Sequence, residues 1–265
     1  MLHALDDDIP DRLLSTRREL TESLLAEMAY AVTENDDIPC DYRLALGDPF
    51  RVIGEAARQF GPDVIVIGPH RRSLLKDMFV GTTAERIIRK SSIPVLMANA
   101  VPVDTYKRIL FATDFSECSA MAVEAAANLS LAAHAKSTLL HIFDVPDKLM
   151  MQRSLPQRSE IEAYEQEQQA EASANMRTFV RQLNWRPDET RVEQVKMSVA
   201  ETVGWIARKS RSDLVVVGTH GRTGLEKYLL GSVAEEVIRD AETDILAVPP
   251  RGTTGAMRRN QTEEG

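Results

Sequence analysis

Residues 213–248 read DLVVVGTHGRTGLEKYLLGSVAEEVIRDAETDILAV, and residues 63–98, 150 positions earlier, read DVIVIGPHRRSLLKDMFVGTTAERIIRKSSIPVLMA. Extended back to residues 204 and 54, the two stretches overlay without a gap, with 15 of 45 positions identical. Chance would give about three or four at ordinary residue usage. The identities include polar residues at fixed offsets: Asp63/Asp213, His70/His220, Arg72/Arg222, Glu85/Glu235 and Arg89/Arg239. Generic strand–turn–helix composition does not produce shared polar positions of that kind, so the chain carries an internal duplication.

Outward from this stretch the second copy is a run of alternating elements. Short apolar strands are expected at 108–113, 137–145, 191–197, 213–218 and 244–248. Helices are expected after Ser116, a plausible N-cap followed by an alanine-rich segment, and at 160–183, 200–209 and 232–240. Strands that alternate with helices, with uniformly apolar central strands, imply a parallel sheet covered on both faces.

The first copy begins differently. Leu2–Asp6 matches the second strand of the repeat, Leu140–Asp144, so the counterpart of residues 107–139, 33 residues holding the first strand and first helix, is absent. Its remaining elements are expected as helix 12–33, strand 41–46, helix 50–59, strand 63–68, helix 82–90 and strand 93–97. The expected domains are therefore residues 1–100, truncated, and 106–250, complete, joined by a short linker and followed by a flexible polar tail at 251–265. The absent first strand leaves three expectations for the first sheet. It closes on itself, a partner chain fills the groove, or the natural chain carries an N-terminal piece ahead of this sequence.

Composition narrows the function classes. The chain has 265 residues, 43% apolar and 27% charged, with 40 acidic against 32 basic residues and a net charge of −8. Neither half is basic, which argues against general nucleic-acid binding. Apolar runs such as 64–67 and 214–217 fall far short of the roughly 20 residues of a membrane helix. No charged-then-apolar signal segment opens the sequence. Two cysteines, Cys40 and Cys118, cannot build a disulfide framework or a zinc cluster by themselves. A cytoplasmic protein without membrane or nucleic-acid partners is the expectation.

The loop chemistry concentrates in one place. Gly218 and Gly221 leave a strand, and after nine residues Gly231 and Ser232 open a helix. Glycines there admit a ligand close to the backbone, and the helix start offers free N–H groups and a positive dipole end to a phosphate. Asp114, after the first strand, ends at the same sheet edge and is placed for a ribose hydroxyl. Residue spacing alone leaves two readings open, a binding loop or a tight connection. No P-loop, G-x-S-x-G elbow or metal-ligand spacing occurs, so no catalytic residue and no protein-held metal are expected. His220 is read as a loop-structuring residue, His141 and His3 as strand residues that are packed or hydrogen-bonded and bind no ligand, Cys118 as packed, and Arg222 and Lys227 as the nearby cations.

RILFATDFSE at 108–117, LLHIFDV at 139–145 and VVVGTHGRTGLEKYLLGSVAEEVIRD at 215–240 together resemble the universal stress protein family in its tandem two-domain form. The family signature Gly-x2-Gly-x9-Gly-(Ser/Thr) is met by Gly218, Gly221, Gly231 and Ser232. The resemblance implies two tandem Rossmann-like α/β domains of flavodoxin-like strand order 3-2-1-4-5, whose final strands pair at a domain or dimer interface. It implies that ATP, or AMP or ADP, is bound, with Mg²⁺ able to accompany it. Backbone around Ala112, Thr113 and Ile142 would frame adenine, Asp114 would bond ribose, and Gly218–Arg222 with Gly231, Ser232 and Val233 would hold phosphates. It further implies a nucleotide-responsive stress regulator, a homodimer and a protein partner, with at most slow ATP hydrolysis. The alternative is a scaffold that uses both domains for partners and binds no nucleotide. The first copy departs from the signature: Arg71 stands at the second glycine position, and the aspartate is missing with the absent strand. A nucleotide site is therefore not expected in residues 1–100.

Overall fold

The computed structural model describes residues 1–5, 10–68, 83–101, 104–145, 158–221 and 230–250. The expected tail, Arg71, Arg222 and Lys227 lie outside these residues. The first copy supplies β1 (Leu2–Leu5), α1 (Asp11–Asp36), β2 (Arg43–Leu46), α2 (Pro49–Phe60), β3 (Ile65–Ile67), α3 (Thr83–Lys90) and β4 (Val95–Met97). The second supplies β5 (Arg108–Ala112), α4 (Glu117–Asn128), β6 (Lys136–Phe143), α5 (Arg158–Gln182), β7 (Glu189–Gln194), α6 (Val199–Ser210), β8 (Leu214–Gly218), α7 (Ser232–Asp240) and β9 (Asp244–Val248).

Helix starts follow local chemistry. Asp48 caps α2 through the Arg51 N–H at 3.0 Å, with Pro49 in the first turn. Ser198 and Glu201 form a reciprocal capping box at α6. Asp188, just before β7, accepts from the Ser137 N–H and hydroxyl, bonds that hold its carboxyl below the usual range.

The strands form two sheets. β1 and β2 make a parallel pair, and the other seven run in the order β3-β4-β9-β8-β5-β6-β7. Within the second copy that order is third, second, first, fourth, fifth, all parallel, as the resemblance implied. The final strands of the two copies, β4 and β9, pair antiparallel, with Leu96 opposite Leu246. The first described element is β1, which matches the second strand of the other copy. The strands of the first copy do not close on one another: β1 and β2 pair only together, while β3 and β4 extend the second copy's sheet.

Compactness divides the chain into residues 1–62 with 81–87, and residues 63–80 with 88–265. In the first unit, β1 lies beside β2, α1 buries Leu25 and Ala29, and Arg86 stacks 4.4 Å above Phe50. In the second unit, one face of the sheet carries α4 and α5, whose Ala122, Val123, Ala126, Met176 and Phe179 join Phe111, Leu139, Val216 and Leu246 in a single core. Asp244 ties the seam between the copies. Its carboxylate accepts from the Asn99 and Ala100 N–H groups at 2.8 and 2.9 Å and from the Tyr106 hydroxyl at 2.7 Å.

Candidate functional site

β5 ends at Ala112, and the turn after it is held on several sides. The Thr113 hydroxyl accepts from the Phe115 N–H at 2.9 Å, and Asp114 Oδ1 accepts from the Ser116 N–H at 3.0 Å. Phe115 takes a left-handed backbone with φ of 65°, uncommon for a residue with a Cβ. Its ring packs 4.0 Å from His141 and 5.6 Å from Phe179. His141 Nδ1 lies 2.8 Å from the Thr113 carbonyl oxygen, so this histidine is packed and hydrogen-bonded, as read from the sequence. Ser116 then caps α4.

The exit from β8 lies against the start of that helix. A Cβ on Gly218 would come 3.0 Å from the Cys118 carbonyl carbon and oxygen and 3.1 Å from its Sγ. This glycine therefore serves strand–helix packing in its own right. Cys118 is buried, its thiol donates to the Val248 carbonyl at 3.4 Å, and burial pushes its pKa up, the opposite of a reactive thiolate. The Thr219 N–H donates to the Val248 carbonyl at 2.9 Å and the Gly231 N–H to the Thr219 carbonyl at 2.8 Å, fixing both ends of the connection to α7. His220 Nδ1 lies 2.9 Å from the Thr219 hydroxyl, while its buried Nε2 has no partner among the described residues.

One feature fits an anion, and a second fits a hydrogen-bond donor beside a carboxylate. Gly231 is the N-cap of α7 and makes no side-chain cap, so the first-turn N–H groups are not used up by a side chain. A Cβ on Gly221 would stand 3.0 Å from Asp114 Oδ2, so a side chain there would fill the space between the loop and this carboxylate.

These elements enclose a pocket of about 330 Å³, within the usual range for small-molecule sites. β5 and its turn contribute Ala112, Thr113 and Asp114, and β6 contributes Ile142. The β8 exit contributes Gly218 and Gly221, and the start of α7 contributes Gly231, Ser232 and Val233. Every site residue expected from the sequence lines it except Arg222, which lies outside the described residues. Val199 and Val203 of α6 form an apolar wall that the sequence reading missed. The amphipathic pattern of that helix is legible, but the strand end that its apolar face reaches is set by the crossover. Apolar side chains thus face a rim of glycine backbone, a carboxylate and a helix start, a combination suited to a flat ring that carries an anionic group. Among the described residues no group of three or more His, Cys, Asp or Glu is gathered to hold a metal ion, and no helix is long and apolar enough to cross a membrane.

A parallel sheet with a pocket at the carboxyl ends of its strands, where the strand order reverses, defines a Rossmann-like binding fold. A sequence model of the universal stress protein family matches residues 2–99 and again 105–249, and the chain belongs to that family as a tandem member. A universal stress protein of Methanocaldococcus jannaschii is 30% identical over 143 residues, which cover 54% of this chain and 82% of that one. Universal stress protein A homolog 1 of Coxiella burnetii is 33% identical over 144 residues, 54% of this chain and 96% of that one. Among solved structures, a putative universal stress protein from Pseudomonas aeruginosa superposes with a TM-score of 0.65 at 19% identity, covering 94% of this chain and 92% of that one. One from Archaeoglobus fulgidus gives 0.65 at 20%, covering 95% and 86%. At such identities these structures bear on the fold alone.

Proposed function

We propose that this universal stress protein binds one adenine nucleotide, ATP or its AMP or ADP form, in the domain of residues 106–250, and acts as a nucleotide-responsive regulator. The observation that carries the reading is that Asp114 meets Gly221 and the uncapped start of α7 in one pocket although it lies more than 100 residues before them in the chain. Asp114 would accept from a ribose hydroxyl. Backbone at Ala112, Thr113 and Ile142 would frame the base against Val199 and Val203. The N–H groups around Gly218–Arg222 and Gly231–Val233 would receive phosphates. Mg²⁺, where present, would arrive on the phosphates and neutralise part of their charge. No group in the pocket is assigned as a general base, so hydrolysis would be slow at most. Residues 1–100 are the degenerate partner domain, and binding at the loop after Gly221 would alter a surface offered to a protein partner in the cytoplasm.

Calorimetric titration with ATP, AMP and GTP tests this reading, beside a Gly221→Arg variant. The arginine Cβ starts 3.0 Å from Asp114 Oδ2 and its side chain enters the pocket. One adenine nucleotide per chain, lost in the variant, is the expected result. Two per chain would restore a site to the first domain. No binding of any nucleotide would leave the scaffold reading.

A further inference from the structure

Glu235 stands one turn into α7, and its N–H donates to the Gly231 carbonyl at 2.9 Å. Side chains on a helix lean toward its N-terminus, and one turn is about 5.4 Å long. The negative charge of Glu235 therefore lies near the uncapped helix start that the proposed function gives to phosphate. Arg239 lies four residues further on, the interval at which helix ion pairs form. Its guanidinium turns instead to Asp240, at 3.0 and 3.3 Å. Glu236, the next carboxylate, accepts from the neutral Ser198 hydroxyl at 2.9 Å and so keeps its charge.

The cation that meets Glu235 comes from the other copy. Arg89, in the last turn of α3, places Nη2 3.6 Å from Glu235 Oε1. Both residues belong to the second of the two compact units. The antiparallel pairing of β4 with β9 accompanies this contact between the last turn of α3 and the first turn of α7. Arg89 Nε is buried, so the guanidinium is packed at the seam and does not swing freely in solvent. Neither Arg89 nor Glu235 lines the pocket.

We propose that Arg89 of the first copy tunes the nucleotide site of the second, offsetting Glu235 so that the start of α7 accepts a polyphosphate. The proposal rests on the nucleotide reading above and adds a residue through which one copy governs the other. Arg89 is a positioning residue: it touches no ligand and acts through the charge it sets against Glu235. An influence of this kind grows with the charge of the ligand. It is largest for ATP, smaller for AMP and nil for adenosine. The side chains are 39% and 41% exposed, so solvent screens the pair in part and the effect is a few fold.

Calorimetric titration of the whole chain with ATP, AMP and adenosine tests this. Arg89→Gln is expected to weaken ATP binding by about two- to fivefold, AMP binding by less, and adenosine binding not at all. Glu235→Gln is expected to tighten ATP binding by a similar factor. The double variant, whose pair carries no net charge, as in the parent, should return to near the parent affinity. All these differences should shrink in about 1 M salt, where a charge is felt over only about 3 Å. Parent-like ATP binding by Arg89→Gln overturns the proposal and leaves the nucleotide reading intact. Equal losses for ATP and adenosine also overturn it, because a disturbed α3 would act on every ligand alike. A parent chain that binds none of the three overturns the nucleotide reading, and this proposal with it.

Discussion

At Gly218 an added methyl would press on the Cys118 backbone at 3.0 Å, while at Gly68 it would meet nothing within 4 Å among the described residues. The same residue in the two copies therefore answers differently to substitution. Gly218→Ala forces β8 and α4 apart and is expected to destabilise by about 1–3 kcal/mol. Gly68→Ala restricts the unfolded chain without a clash and is expected to be neutral or stabilising by up to about 1 kcal/mol. Urea midpoints at constant slope compare the two. A second residue-scale prediction concerns Tyr106, whose hydroxyl pKa is raised by burial and by the Asp244 carboxylate 2.7 Å away. The folded chain then keeps a proton that the unfolded chain releases above the ordinary value of 10.0. Stability is full below that pH and falls as pH climbs past it. Melting curves between about pH 8 and 12 should show this alkaline loss, and Tyr106→Phe should flatten it. At this scale much of the candidate pocket was legible, because Asp114 follows a short apolar strand and the glycines and Ser232 mark a strand exit and a helix start, all of which line it. Val203 was not, since a valine on an amphipathic helix says nothing of which strand end it will face.

Elements show where local signals suffice. The bounds of α7 and β9 are those read from residues 232–240 and 244–248, because a Gly-Ser start and an isolated apolar run leave little choice. β3 is shorter than its reading. Residues 63–68 were expected, yet the strand is Ile65–Ile67, whereas its counterpart β8 spans Leu214–Gly218. Among the described residues β8 is hydrogen-bonded on both sides, by β5 and β9, and β3 on one side by β4. Strand length here depends on a neighbour that no local pattern encodes. α6 offers the opposite case, a helix start written entirely in Ser198-x-x-Glu201. Ser198 caps Glu201 N–H at 3.0 Å and also donates to Glu236 at 2.9 Å. Ser198→Ala is expected to cost about 1–2 kcal/mol in denaturant unfolding, with Ser198→Thr recovering most of it. If the alanine variant unfolds like the parent, the capping box contributes nothing in this setting.

At the scale of the whole chain, the duplication decides which elements exist, and the β4–β9 seam decides how the larger sheet is finished. Every residue of β9 is buried, and Leu246 lies between Val216 on one side and Leu96 on the other. β9 is therefore built as an interior strand. Residues 104–250 alone would retain β5 to β9 in their complete order but would turn β9 into an apolar edge, a template for pairing with another chain. Such a fragment is expected to dimerise in a concentration-dependent way, β9 against β9, in the antiparallel sense that β4 now uses. Sedimentation velocity would register the dimer. A peptide of residues 92–100, which carries the β4 sequence, should return it to a monomer by competing for the same edge. A fragment that stays monomeric at every concentration would show that other groups shield β9, and that the seam is a convenience of the tandem arrangement with no bearing on its solubility.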